Sequence, residues 1–175
     1  MNGSKSEATL FTRKVAQRHR PTLPLKVGGD DVPWGNHLRY LGMTLDRRLT
    51  FRDHVQLAIE RSELVTRSLY SIIGRRSRLN LRNRLHLFKS VFRPRFSYGA
   101  PLLAGCAMTH RRALQVHQSK LLKLMADLPW RFSTTMLHDL TGIELVSDFL
   151  ERSRDQFIRS CSNSFNEDVA TLVTH

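Results

Sequence analysis

The sequence predicts a mainly α protein, with a small β hairpin/strand region over residues 1–50 followed by a four- to five-helix bundle over residues 51–175. Three observations carry this. After Thr50 the hydrophobic period changes from two to about 3.6 residues. Gly74, Pro94, Pro129 and Gly142 fall at or near the ends of the helical stripes. The 175 residues, 41% of them apolar, suffice for one core, or for one domain with an appendage.

In the β region, Ala8-Thr9-Leu10-Phe11-Thr12 has strand composition. Arg13 to Arg20 is polar and reads as a loop, and Pro21 and Pro24 break any helix there. Leu25-Lys26-Val27, the turn Gly28-Gly29-Asp30-Asp31 and Val32 onwards read as a hairpin. His37 to Leu45 is the best strand, with Leu38, Tyr40 and Gly42 opposite to Leu41, Met43 and Leu45. Gly42 within it points to a bulge or to the close approach of another backbone.

The helices follow. Thr50 and Asp53 resemble an N-cap pair, with Asp in place of the usual Glu. Val55, Ile59, Ser62, Val65, Leu69 and Ile72/Ile73 then mark one face, ended by Gly74. Leu81, Leu85, Phe88 and Phe92 form a second stripe, with Pro94 near its end. A third helix, from about Thr109, places Leu114, His117, Leu121, Leu124 and Leu128 on one face, and Pro129 stops it. Thr134 to Leu140 makes a short helix closed by Gly142, and a last helix buries Val146, Phe149/Leu150, Phe157 and Cys161.

The charge is unevenly placed. Of 28 Lys+Arg and 15 Asp+Glu, residues 1–63 hold 11 basic and 7 acidic, and residues 127–175 hold 4 and 8. Between Leu64 and Ala126 lie 13 basic residues and no acidic one, so the whole net charge of +13 sits there. A solvated helical face normally mixes signs, because i,i+4 pairs stabilise it. A face without carboxylates accumulates self-repulsion that a polyanion would neutralise. Arg75, Arg76, Arg78, Arg82, Arg84, Lys89, Arg93 and Arg95 fall within 21 residues, mostly as Arg, whose planar fork suits phosphate. Tyr70 and Tyr98 flank the stretch, where helix-end packing is favoured over base stacking. An anionic membrane or an acidic protein would also complement the charge.

Other chemistry is sparse. Cys106 and Cys161 form neither a disulfide framework nor a thiolate zinc site, and fit a reducing compartment. The N-terminus has no apolar h-region and no run of about 18 apolar residues exists, so the expectation is an intracellular chain, in cytoplasm or nucleus, neither secreted nor in the membrane. There is no Gly-rich phosphate loop and no His-x-x-x-His or Cys-x-x-Cys pair. His117 reads as a core-edge histidine, Asp30-Asp31 as a solvated turn, and Asp46 as a strand-end residue able to cap a turn. No metal site and no active site emerge from spacing.

The segment Tyr40-Leu41-Gly42-Met43-Thr44-Leu45-Asp46 resembles a Y-L-G-[VM]-x-[LF]-D stretch of non-LTR retrotransposon reverse transcriptases of the insect jockey type. The resemblance continues through Leu49 to His54, Arg82-Asn83-Arg84-Leu85, Lys89-Ser90-Val91, Arg93-Pro94 and Tyr98-Gly99-Ala100-Pro101. It resumes at Leu114-Gln115-Val116, Gln118-Ser119-Lys120, Leu128-Pro129-Trp130 and Leu137 to Leu145. Upstream, Asn2-x-x-Lys5-Ser6 with Leu10-Phe11-Thr12 is similar to the palm motif that follows the catalytic Tyr-x-Asp-Asp.

This resemblance implies that residues 1–50 correspond to the last palm strands and residues 51–175 to a helical thumb and C-terminal connection. It makes the Tyr40, Leu41 and Gly42 hairpin a primer grip, and Lys5 a general acid on the leaving pyrophosphate. It sets Arg75, Arg76, Arg78, Arg82, Arg84, Lys89 and Arg93 against the backbone of an RNA/DNA primer–template duplex, a role that needs phosphate rather than base-edge contacts. In the family the metal-binding carboxylates precede the position of Asn2. The expectation is therefore a chain that binds no cofactor, whereas the full family enzyme uses Mg, and that is catalytically incomplete without its palm and fingers. The alternatives are an inert remnant of a truncated mobile element, or a basic interaction module.

Overall fold

The computed structural model describes residues 6–12, 23–164, 166, 168 and 169. Lys5, the Arg13–Arg20 segment and Pro21 lie outside the described residues. The chain divides into two compact units, one up to His54 and one from Val55.

The first unit holds two antiparallel hairpins. Strands β1 (Leu25–Val27) and β2 (Asp30–Val32) are joined by Gly28 and Gly29, at φ +63° and +92°. A two-residue turn with φ positive at both positions matches the twist of the flanking strands, which is why glycine stands there. Asp30 and Asp31 therefore belong to β2 and not to the turn. Asp31 faces Lys26 across the ladder at 3.8 Å.

Where periodicity gave a single strand over His37 to Leu45, the structure has a second hairpin, turning at the place the resemblance implied. Strands β3 (His37–Tyr40) and β4 (Met43–Asp46) pair with Leu38 opposite Leu45 and Tyr40 opposite Met43. The reversal occurs at Leu41 and Gly42, at φ +46° and +80°. Period-two reading cannot see a two-residue turn inside an apolar run, so the facing was inverted. Cross-strand partners share a face, and Leu38, Tyr40, Met43 and Leu45 lie on the same side. Ala8 to Thr12 forms no full strand. Its backbone is tied at Ala8 to Pro33 and Gly35, and at Thr12 to Arg47.

Asp46 closes the second hairpin, as a strand-end capping residue should. Its carboxylate accepts from the Phe51 N–H (2.8 Å), the Thr50 hydroxyl (3.1 Å) and the Arg48 N–H (3.2 Å). Burial pushes this carboxyl up, but the hydrogen bonds outweigh burial and hold it below its ordinary value. Asp53 does not complete a capping box with Thr50. It pairs with His37 Nδ1 at 2.9 Å.

The second unit is helical. Helix α1 (Arg52–Ser68) runs into a short α2 (Tyr70–Ile73) that Gly74 ends. Helix α3 (Leu81–Leu87) is capped by the Asn80 side chain, which accepts from Asn83 N–H. It continues through a π turn (Phe88–Phe92) into α4 (Arg93–Phe96). The π turn stands just before Pro94, whose ring would meet the Ser90 carbonyl in α geometry. Helices α5 (Ala100–Leu103), α6 (Met108–Met125), α7 (Thr134–Thr141) and α8 (Val146–Ser162) follow.

Helix α6 is the centre of this unit, packed against α3, α7 and α8, while α5 packs on α8. It buries Leu114, His117 and Leu121 as expected, and a flanking strip of Gln118, Leu122 and Met125 besides. The helix ends at Met125, with Asp127 at φ +54°, ahead of Pro129. Phe88, Phe92, Phe96, Leu103, Leu137, Ile143 and Leu150 fill the core around it. Helix α8 is only half inside. Val146 and Leu150 are buried, but Phe157, expected in the core, is 53% exposed. Among the described residues, the apolar stripe on α8 outlasts the surface that covers it.

Candidate nucleic-acid interface

The basic stretch separates into cations that the fold engages and cations that it leaves exposed. Arg84 belongs to the first set. Its guanidinium donates to the carbonyl oxygens of Leu79 (2.8 Å), Met125 (2.8 Å) and Ser77 (3.1 Å), fastening the start of α3 to the end of α6. Arg93 is also drawn inward. It bonds Glu144 at 3.0 Å, lies 4.1 Å over the Phe149 ring, and its side chain is only 14% exposed. Burial pushes the Arg93 guanidinium down from its ordinary value, with Glu144 opposing.

Glu144 is shared. Arg152 reaches it at 2.6 Å, and the hydrogen bond from Arg152 and the charge of Arg93 hold its carboxyl low against burial. Arg75 pairs with Asp127 at 2.9 Å, and Arg111 with Glu151 at 3.1 Å. The acidic C-terminal segment thus reaches back to neutralise three arginines of the acid-free middle, which segment counting alone does not reveal.

Arg76, Arg78, Arg82 and Lys89 remain exposed and enter no ion pair among the described residues. Arg82 and Lys89 border a shallow dip with His86. They stand seven residues apart, or about 10 Å of helical rise. Tyr98 and Tyr70 are half exposed, and the Tyr70 ring lies beside Gly74. At the β3–β4 tip, Tyr40 is 60% and Leu41 74% exposed. A left-handed backbone at a non-glycine residue costs about 1–2 kcal/mol. Leu41 takes the first position of the two-residue turn, where φ is positive as it is at Gly28, and its apolar side chain faces solvent.

Sequence reasoning passed over a second basic surface. Along α6, Arg112, Val116, Lys120 and Lys123 line one side of a groove of about 630 Å³ that Trp130 and Leu128 complete. The signal was available in Arg112, Lys120 and Lys123, at i, i+8 and i+11 along a helix read for its apolar stripe.

His117 behaves as a core-edge residue. Its Nε2 meets Ser62 Oγ at 2.8 Å, its ring sits edge-on to Phe96, and burial lowers its pKa. Among the described residues, no three His, Cys, Asp or Glu side chains converge where they could hold a metal ion. None of the described helices is long and apolar enough to cross a membrane.

Comparison with known proteins bears on this arrangement. No protein-family model and no solved structure matches the chain. Among curated proteins, the probable RNA-directed DNA polymerase from transposon X-element of Drosophila melanogaster is 30% identical over 157 residues, or 90% of this chain. The probable RNA-directed DNA polymerase from transposon BS of the same organism is 25% identical over the same share. The RNA-directed DNA polymerase from mobile element jockey of Drosophila funebris is 25% identical over 134 residues, or 77% of the chain. The chain spans 17%, 17% and 14% of the lengths of these three relatives. Over most of its length, this chain is distantly related to the RNA-directed DNA polymerases of non-LTR retrotransposons.

Proposed function

We propose that the helical unit is a thumb-like element of a retrotransposon reverse transcriptase that holds a primer–template duplex by its sugar–phosphate backbone. The observation that carries this reading is the exposed set Arg76, Arg78, Arg82 and Lys89, in a stretch without a single carboxylate, where the fold engages Arg84 and Arg93 for itself. A duplex presents one phosphate charge per about 1.7 Å of axis, so cations about 10 Å apart meet it without any sequence register. Contacts of that kind position a duplex and let it move, as a polymerase requires.

The Tyr40, Leu41 and Gly42 tip is the second contact, placed on the primer terminus as a grip. The exposure of Tyr40 and Leu41 at that tip supports the role. On this reading the chain binds nucleic acid, and nucleotide transfer belongs to carboxylates and Mg of the larger enzyme. Lys5, outside the described residues, would serve that reaction only in the completed palm.

Reversing Arg78→Glu, Arg82→Glu and Lys89→Glu together tests the proposal. Affinity for labelled duplexes of unrelated sequence should fall equally, with the salt slope shallower by about three. A sequence-dependent loss would indicate base readout, and unchanged affinity would overturn the proposal.

A further inference from the structure

The groove beside α6 carries features that a duplex-tracking surface does not need. Trp130 is 77% exposed, in a chain whose other large aromatics are mostly covered or half covered. It is nevertheless positioned rather than loose. Its carbonyl accepts from Lys123 Nζ at 2.8 Å, and the Arg131 guanidinium lies 4.7 Å from its ring centroid. Arg112 and Lys120 stand exposed on the same side of α6 and enter no ion pair among the described residues. The acidic neighbours are occupied, Asp127 with Arg75 and Glu63 with Arg67. From Arg112 to Lys123 the helix rises about 16 Å, the length of a few nucleotides.

A row of cations ending at an exposed indole meets two separate demands of an unpaired strand: a charged track for phosphates and a flat face for a base. A duplex would use only the first, because its bases are stacked on each other. We infer that this groove binds a short single-stranded nucleic-acid segment, with phosphates along Arg112 and Lys120 and one base stacked on Trp130, which Lys123 helps to hold. The inference rests on the proposed nucleic-acid role of the helical unit and adds to it a site for unpaired strand, separate from Arg78, Arg82 and Lys89.

Fluorescence tests it directly. The chain has two tryptophans, Trp34 and Trp130, so the full-length Trp34→Phe variant reports on Trp130 alone. Oligouridylate should quench that emission, while a blunt duplex should not. Trp130→Ala should weaken oligouridylate binding roughly tenfold and leave duplex affinity unchanged, and Trp130→Phe should restore most of the loss. Since Trp130 is exposed, an unchanged melting curve would verify that Trp130→Ala still folds. Duplex binding together with no quenching by oligouridylate, or an oligouridylate affinity indifferent to Trp130, overturns this site and leaves the proposed function standing. Binding of neither strand form overturns both.

Discussion

Removing the Arg84 side chain separates two roles that a count of basic residues merges. The guanidinium holds three carbonyl oxygens from two regions of the chain, Ser77 and Leu79 before α3 and Met125 at the end of α6. A hydrogen bond from a charged donor contributes about 1.5–3 kcal/mol, so simple addition gives roughly 5–9. The true loss is smaller. The three carbonyls are part-buried, water can rehydrate them, and bonds from one group are not additive. Arg84→Ala should therefore cost about 2–4 kcal/mol, which in a chain of this size lowers Tm by roughly 6–15 °C. Arg84→Lys should fall between, since one ammonium cannot span the same three acceptors.

The assay is thermal unfolding followed by circular dichroism, with urea unfolding to give the free energy. Measured below its Tm, Arg84→Ala should bind duplex with the wild-type salt slope, because its charge faces carbonyls and not a phosphate. A variant with wild-type Tm and a slope shallower by about one would refute this reasoning and make Arg84 a phosphate contact.

Other consequences concern the buried polar groups. Glu144→Gln should destabilise the chain by about 1–3 kcal/mol at pH 7, because Arg93 is left largely buried without its carboxylate. The Glu144 carboxyl is held low in the fold, so its stabilisation is complete above the unfolded value near ~4.3 and is lost as pH falls through the folded value. Urea unfolding of the two proteins should therefore converge below pH 4, and a constant gap down to pH 3 would refute the pairing. Ser62→Ala should cost about 1 kcal/mol by removing the partner of His117. His117 has its pKa lowered by burial, so the unfolded chain binds the extra proton first and stability falls as pH drops below about 6.5. His117→Gln should flatten that limb, and identical pH profiles for the two proteins would contradict the assignment.

The helical half was legible because its signals are local. The apolar stripes, Gly74 and Gly142 lie within a few residues of the structure they dictate. The β3–β4 hairpin was legible from the resemblance at Tyr40-Leu41-Gly42 but not from periodicity, since its turn lies within a run that alternates well enough to pass for one strand. Phe157 was assigned to the core because period alone does not say where neighbouring helices stop.

For the candidate site, the charge-rich stretch was visible, but its division was not. Whether an arginine meets solvent or a carbonyl depends on partners far along the chain, such as Met125 for Arg84, Glu144 for Arg93 and Asp127 for Arg75. The groove beside α6 was missed for a related reason. Arg112, Lys120 and Trp130 lie up to 18 positions apart and come together only once Asp127 turns the chain back past the end of α6.

The central claim is that Arg76, Arg78, Arg82 and Lys89 face the phosphates of a duplex, and the salt dependence of duplex binding by the full chain tests it most directly. Four neutralised phosphates predict that log K falls against log salt with a slope of about −3.6 on duplex DNA. A slope near zero, or no binding at low salt, would contradict the account.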